Sequence, residues 1–402
     1  MKKEKLLKGL LILAVSIMCF NSCAKDDNSI TPQTDGKANP ALLIDNAIPK
    51  ELGNVYQKYF NRYTKVVCPN GGAIHIVAQD KITEGQIVRC RGVIEHYLKN
   101  LPNSVYGINK AAIANKMAEN NAVLCLLNGQ DDGKNPAGEK VQGQPLFQNE
   151  MQVEGHSWYM NQNYEHRDAT FEEILHLVHD YGIGVDGPNS LPGALPSYQQ
   201  KIRAAQENAY TSELWANGPN FNNQIKDWIQ ENSMTQEYLA AVVDSYYGLW
   251  GAWMGSSTHG MWGGYTAKNR DEVITEDPDG NTLITDFLHP YLTYNARIDA
   301  SLDGNFSLKF DATKPYTHHS RYLKDITLTG SHNNSVTVNE LDNDITGNAG
   351  SNTIIFSGIK ADYTITTNNG ETVVIDNVKN RDGLNTLRKV EKLQFTDQIY
   401  SL

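Results

Sequence analysis

Five side chains able to bind a metal or move a proton lie close together at Glu172, Glu173, His176, His179 and Asp180. Their segment, 170–182, reads as a helix. At about 100° per residue the five fall in one arc, and Ile174, Leu175, Leu177, Val178 and Tyr181 fill the other. Residues three or four apart on a helix face one another. Glu172 and His176 can therefore meet a common ion, with His179 next to them and Glu173 to the side. Carboxylate and imidazole are both zinc ligands, and a carboxylate beside such an ion can act as general base. The same residues also carry a structural reading. Thr170-x-x-Glu173 is a capping box, first-turn acids are favoured by the helix dipole, and an amphipathic helix has a polar face without any metal.

A second segment carries two further acids. The stretch 234–250 reads as a helix with Glu237 and Asp244 seven residues apart on one face. Ala240 and Ala241 between them let another helix approach closely. Tyr246 and Tyr247 follow, and their phenols, like His179, can stabilise an oxyanion. Glu237 is equally a first-turn acid beside a cap at Ser233 or Thr235, and Asp244 equally a solvated or turn-bonded side chain.

The elements that must position these residues divide into two kinds. Over 41–300 helical and strand patterns mix: a strand at 73–77, helices at 83–101 and 108–119, an apolar run of strand length at 122–127, then helices at 170–182, 197–214, 220–231 and 234–250. The stretch 149–153 reads as a strand whose edge could receive an extended peptide. Over 325–402 short strands at 326–329, 336–338, 353–356, 363–366 and 372–375 alternate with turns, and Asn368-Asn369-Gly370 signals a hairpin. The expected fold class is an α+β domain over 41–300, a connector at 301–324, and a small all-β domain of β-roll or β-sandwich type over 325–402.

The helix at 170–182 resembles the active helix of zincin metallopeptidases, whose pattern is His-Glu-x-x-His. Glu173 stands at the general base and His176 at the second His ligand, whereas Glu172 departs from the first His ligand. Gly182 follows His176 by six residues, where the metzincin branch has three. Glu237-Tyr238 resembles the gluzincin ligand helix. Asp244-x-x-Tyr247-Gly248 resembles the aspzincin motif, with Ala241-Val242 where that motif has Gly-Thr. The resemblance implies a zincin-like fold, a zinc ion held by Glu172 and His176 with a third ligand from Glu237, Asp244 or His179, and hydrolysis of peptides or proteins. A catalytically inactive relative that binds ligands through aromatics such as Trp250, Trp253 and Trp262 is the alternative. A metal-free glycosidase ranks last, because Glu172 and Glu173 diverge by about 100° and suit poorly two acids flanking one sugar bond.

Two further resemblances lie at the ends. The run 347–354, Gly-Asn-Ala-Gly-Ser-Asn-Thr-Ile, resembles one turn of the repeats-in-toxin β-roll, with Asn352 where the repeat has Asp. A single turn with one carboxylate fewer makes a poor calcium site. The tail 356–397 resembles the carboxy-terminal domain of serralysin-like secreted proteins. At the other end, Lys2, Lys3, Lys5 and Lys8 precede the apolar stretch 10–20, and Phe20-Asn21-Ser22-Cys23 resembles a lipobox. The following Ala24-Lys25-Asp26-Asp27 resembles the surface-export tag of Bacteroidetes-type lipoproteins. This implies a signal peptide over 1–22, lipid on Cys23, a flexible tether over 23–40 and a place on the outer membrane, exposed at the cell surface. A net charge of −11 and no basic block after the signal argue against a nucleic-acid partner. Cys68, Cys90 and Cys125 lack CxxC spacing, so they either form one bridge with a thiol left over or stay free and buried.

Overall fold

The computed structural model describes residues 42–162, 167–187, 190–217, 221–253 and 264–402. Cys23, His166, His259, Trp262 and the segments read as signal and tether lie outside the described residues.

The first part holds α1 (Asn54–Tyr59), β1 (Arg62–Val67), β2 (Ala73–Ala78), α2 (Glu84–Leu98), α3 (Ala111–Glu119), β3 (Val123–Leu127) and β4 (Gln144–Phe147). The strands form one sheet in the order β1-β2-β3-β4, with β1 antiparallel to β2 and the rest parallel. All five residues of β3 are apolar and buried because both sheet faces are covered. Leu124 and Leu126 point into the main core, and Val123, Cys125 and Leu127 into a smaller cluster with Tyr63, Val77 and Phe147. Thr83 and Gln86 form the capping box that starts α2.

The strand expected at 149–153 is not formed. β4 ends at Phe147 and a 3-10 turn, Gln148–Glu150, follows. The backbone beyond it is committed to the start of a helix: the Ala169 amide donates to the Glu150 carbonyl, and the Asp168 carboxylate accepts from Gln152 N.

Helices then dominate: α4 (Ser157–Asn161), α5 (Thr170–Val178), α6 (Pro196–Thr211), α7 (Asn222–Glu231), α8 (Met234–Tyr246), α9 (Arg270–Glu276) and α10 (Pro278–Thr285). α5 packs against α2, α8 and β4, and every residue of it except Glu173 is buried. It ends earlier than the 170–182 pattern suggests, widening into a π-helical turn over His179–Ile183. That turn presses Gly182 onto α3, where a Cβ would stand 2.6 Å from Ile113 Cγ2 and 2.8 Å from Met117 Cγ.

The remaining elements are β5 (Leu292–Ile298), β6 (Asn305–Ser307), α11 (Thr317–Ser320), β7 (Leu323–Leu328), β8 (Ser335–Thr337), β9 (Asn343–Thr346), β10 (Thr353–Ile355), β11 (Tyr363–Asn368), β12 (Glu371–Asp376), β13 (Leu384–Arg388), β14 (Lys392–Gln394) and β15 (Ile399–Ser401). The chain alternates between two sheets. β5, β7, β9 and β13 are parallel neighbours in one, and β6, β8, β10 and β14 in the other. Apolar residues stack in register inside: Phe306, Val336, Ile354 and Leu393 on one sheet, Ala296, Ile326, Ile345 and Leu387 on the other. The β11–β12 hairpin extends one sheet and β15 the other, both by antiparallel pairing.

β5 and β6 precede the boundary expected at 325, yet they carry the first strands of these sheets. One apolar core runs from β2 and α5 through β5 into the coil of strands, and the described residues belong to one compact body. The fold is thus mixed, helices with three sheets. No helix among the described residues is long and apolar enough to cross a membrane. Cys68, Cys90 and Cys125 are free and buried.

Candidate metal centre

The start of α5 decides where its acids go. Asp168, gripped by both terminal nitrogens of Arg89 at 3.1 and 2.7 Å, accepts from the Thr170 amide at 3.1 Å. The helix makes no side-chain cap of its own, so Glu173 is not spent on first-turn amides. Its Oε2 accepts from Gln144 Nε2 of β4 at 2.6 Å and its Oε1 from Arg167 Nη2 at 3.2 Å. Glu173 Oε2 also lies 3.6 Å from His176 Nδ1.

One turn along, Glu172 and His176 meet Glu237 of α8. One ligand atom from each lies within 4.8 Å of the others, and among the described residues this is the one such group of three. Glu172 and His176 are buried and Glu237 is half-buried. Arg167 closes the group: Nη1 donates to both oxygens of Glu172 at 2.7 and 2.5 Å, and Nε lies 3.5 Å from Glu150 Oε1.

Four carboxylates, Glu150, Glu172, Glu173 and Glu237, thus face one guanidinium and one imidazole. Burial raises the pKa of Glu150 and Glu172, and pushes Glu237 up to about 7. Burial acts the same way on Glu173, but His176, Arg167 and Gln144 outweigh it and hold Glu173 below the usual glutamate value. Burial alone would lower His176. The charges of Glu237, Glu173 and Glu172 and the contact with Glu173 override it, pushing the imidazole up to about 10.

Comparison with models of known families, with curated proteins and with solved structures finds no match to this chain. The chemistry of the site must therefore speak for itself. His176 Nε2 is buried and has no hydrogen-bond partner, which leaves a lone pair or a proton unused in a group surrounded by negative charge. Two carboxylates and an imidazole form a donor set suited to a divalent cation such as zinc. The residues present fit that group.

Other side chains expected at the site have different partners. His179 Nε2 pairs with Gln199 Oε1 at 2.6 Å, and burial pulls its pKa down to about 4. Asp244, on the buried face of α8, accepts from Trp250 Nε1 at 3.4 Å, and burial holds its pKa well above the usual carboxylate value. The Tyr247 hydroxyl lies between the His289 carbonyl at 2.6 Å and His96 Nε2 at 3.0 Å. Tyr246 stacks under the Arg270 guanidinium at 3.9 Å. Trp250 belongs to the core, and Trp253 packs half-buried against it under Lys268.

Three residues of the site carried no sequence signal that the reading used: Arg167, Gln144 and Glu150. Gln144 reaches Glu173 across 29 positions, from a strand placed by the sheet. Arg167 had one clue, since it is the sole arginine between Arg91 and Arg203 and lies just ahead of the acidic helix.

Proposed function

We propose that this chain is a metal-dependent hydrolase of zincin type that cleaves peptide or protein substrates, with Glu172, His176 and Glu237 holding a zinc ion. The observation that carries the reading is the convergence of these three side chains from two helices, with Glu173 held beside them by Gln144. Bound there, the cation would supply Lewis acidity, activating water and polarising a carbonyl. Glu173 Oε2 would take the proton from the attacking water. Gln144 Nε2 and Arg167 Nη2 fix the carboxylate that does so, and His176, then Arg167 and Gln144, hold its pKa below the usual glutamate value. In this reading the helical region is zincin-like and the coil of strands is a serralysin-type module. The chain is anchored to the outer membrane through lipid on Cys23, facing outward.

A second reading draws on a specific observation. Arg167 already occupies both oxygens of Glu172, as it would in a catalytically inactive surface protein whose acidic cluster is neutralised by an ion pair.

Metal content of the purified chain separates the two. The peptidase reading expects about one zinc per chain, bound at neutral pH and lost in a Glu172→Ala/His176→Ala double variant. It also expects a peptide-library cleavage activity that Glu173→Gln abolishes while zinc stays bound. No zinc even after incubation with excess would sink it and favour the binding protein.

A further inference from the structure

We propose that Arg167 is a built-in gate on this centre, its guanidinium competing with a divalent cation for the carboxylate of Glu172. The proposal rests on the metal-binding reading above. Three contacts support it. Nη1 sits between the two oxygens of Glu172, at 2.7 and 2.5 Å, which is where a chelated cation would sit. A carboxylate has about four lone-pair sites, and the inner ones face the guanidinium. Nη2 of the same group holds Glu173 at 3.2 Å, so one side chain restrains both the ligand and the proposed base.

The third contact gives the gate a second position. Arg167 Nε lies 3.5 Å from Glu150 Oε1. Glu150 stands outside the Glu172–His176–Glu237 group, on the 3-10 turn after β4. A guanidinium displaced from Glu172 keeps a carboxylate partner there.

The opposite role is a support. Partners that hydrogen-bond a metal ligand from behind orient it, and their loss typically weakens metal binding by about 10–100-fold. The charges favour the gate. A guanidinium next to the ion repels it, and removing that charge leaves the carboxylates of Glu172 and Glu237 facing the cation, with Glu173 beside them. The two roles predict changes of opposite sign.

The test measures zinc affinity of the full chain, by competition with a chromophoric chelator at neutral pH and fixed ionic strength. The parent, Arg167→Gln and Arg167→Lys are compared, with circular dichroism confirming the fold of each. Arg167→Gln should bind zinc about 10-fold tighter or more, within the usual range of coupling between two ligands. Arg167→Lys, which keeps the charge and loses the fork, should fall between it and the parent. Equal or weaker binding by Arg167→Gln overturns the gate and leaves the metal centre standing. Should Arg167→Gln fail to fold, Arg167→Lys decides: tighter than the parent upholds the gate, equal or weaker overturns it. No zinc in any folded form overturns the metal centre, and the gate with it.

Discussion

Single buried side chains set how this protein answers to pH, and His319 is the cleanest case. It is fully buried, with Nδ1 at 2.6 Å from the Tyr247 carbonyl and Nε2 without a partner. Burial pulls its pKa down to about 4, against about 6.5 for a free histidine. Between those values the unfolded chain takes up a proton that the folded chain refuses. The contribution of His319 is therefore complete above about pH 6.5 and is lost as the pH falls toward 4, a change of roughly 3 kcal/mol. His179 has the same sign. His176 has the opposite one, since its pKa is raised: it adds stability below about pH 6.5 that is lost as the pH rises toward 10. A comparison of parent with His319→Gln isolates the first effect. By urea unfolding at pH 7.5 and pH 4, the parent should lose about 2–3 kcal/mol more than the variant; parallel losses would refute the assignment. At this scale the sequence was legible where spacing along one helix governs, as for Glu172, Glu173 and His176. Glu237 needed the resemblance to select it. Arg167 and Gln144 stayed hidden, because only the packing of α5 against β4 and the preceding loop brings them in.

The coil of strands shows what an element gains from a residue type. Its turns carry buried asparagines whose amides bond to backbone carbonyls. Asn339 Nδ2 donates to the Arg321 and Leu323 carbonyls, Asn343 Nδ2 to that of Lys324, and Asn352 Nδ2 to those of Gly350 at 2.9 Å and Lys389 at 3.4 Å. At Asn352, where the resembling repeat has Asp, an N–H donor meets the carbonyl oxygens that a cation could otherwise bind. The expected outcome is a melting temperature that does not change between chelator and millimolar calcium. Asn352→Ala should cost about 1–3 kcal/mol, because it strands those carbonyls in a buried turn. A clear rise in melting temperature on adding calcium would instead point to a cation in the turns. The runs of β7, β8, β10, β11 and β12 were readable here because each is bounded by turn residues, whereas β9, β13, β14 and β15 were not picked out. The hairpin between β11 and β12 follows from Asn369 and Gly370, both at positive φ, 50° and 80°. β6 was not readable, since Asn305-Phe306-Ser307 lacks the β-branched residues that mark the equally short β8 and β10, and the 149–153 run lost its strand to the backbone bonds that start α5.

At the scale of the whole molecule, a buried ion network joins the candidate centre to the coil. Arg89 of α2 binds Asp168 with two nitrogens and Glu154 at 3.1 Å, and Glu154 also accepts from the Tyr294 hydroxyl of β5 at 2.5 Å. The Asp299 amide at the end of β5 donates to the Glu154 backbone carbonyl at 2.7 Å. Composition divides the chain near residue 300, since helix formers give way to Thr, Asn and Gly there, but it cannot register packing across that division. The network and the continuous core predict one cooperative unfolding transition rather than two. They also predict that Arg89→Met costs about 3–5 kcal/mol, because it leaves two carboxylates buried without their cation. A combined Arg89→Met/Glu154→Gln/Asp168→Asn variant should regain part of that loss, since no charge then stays unpaired. Helix loss by far-ultraviolet dichroism and tyrosine exposure by fluorescence should share one midpoint in the parent. Two separated midpoints, or a cost below about 1 kcal/mol for Arg89→Met, would mean that the helical region and the coil stand independently. The start of α5 would then owe its position to Asp168 and local contacts alone, and the coil could be removed without loss to the centre.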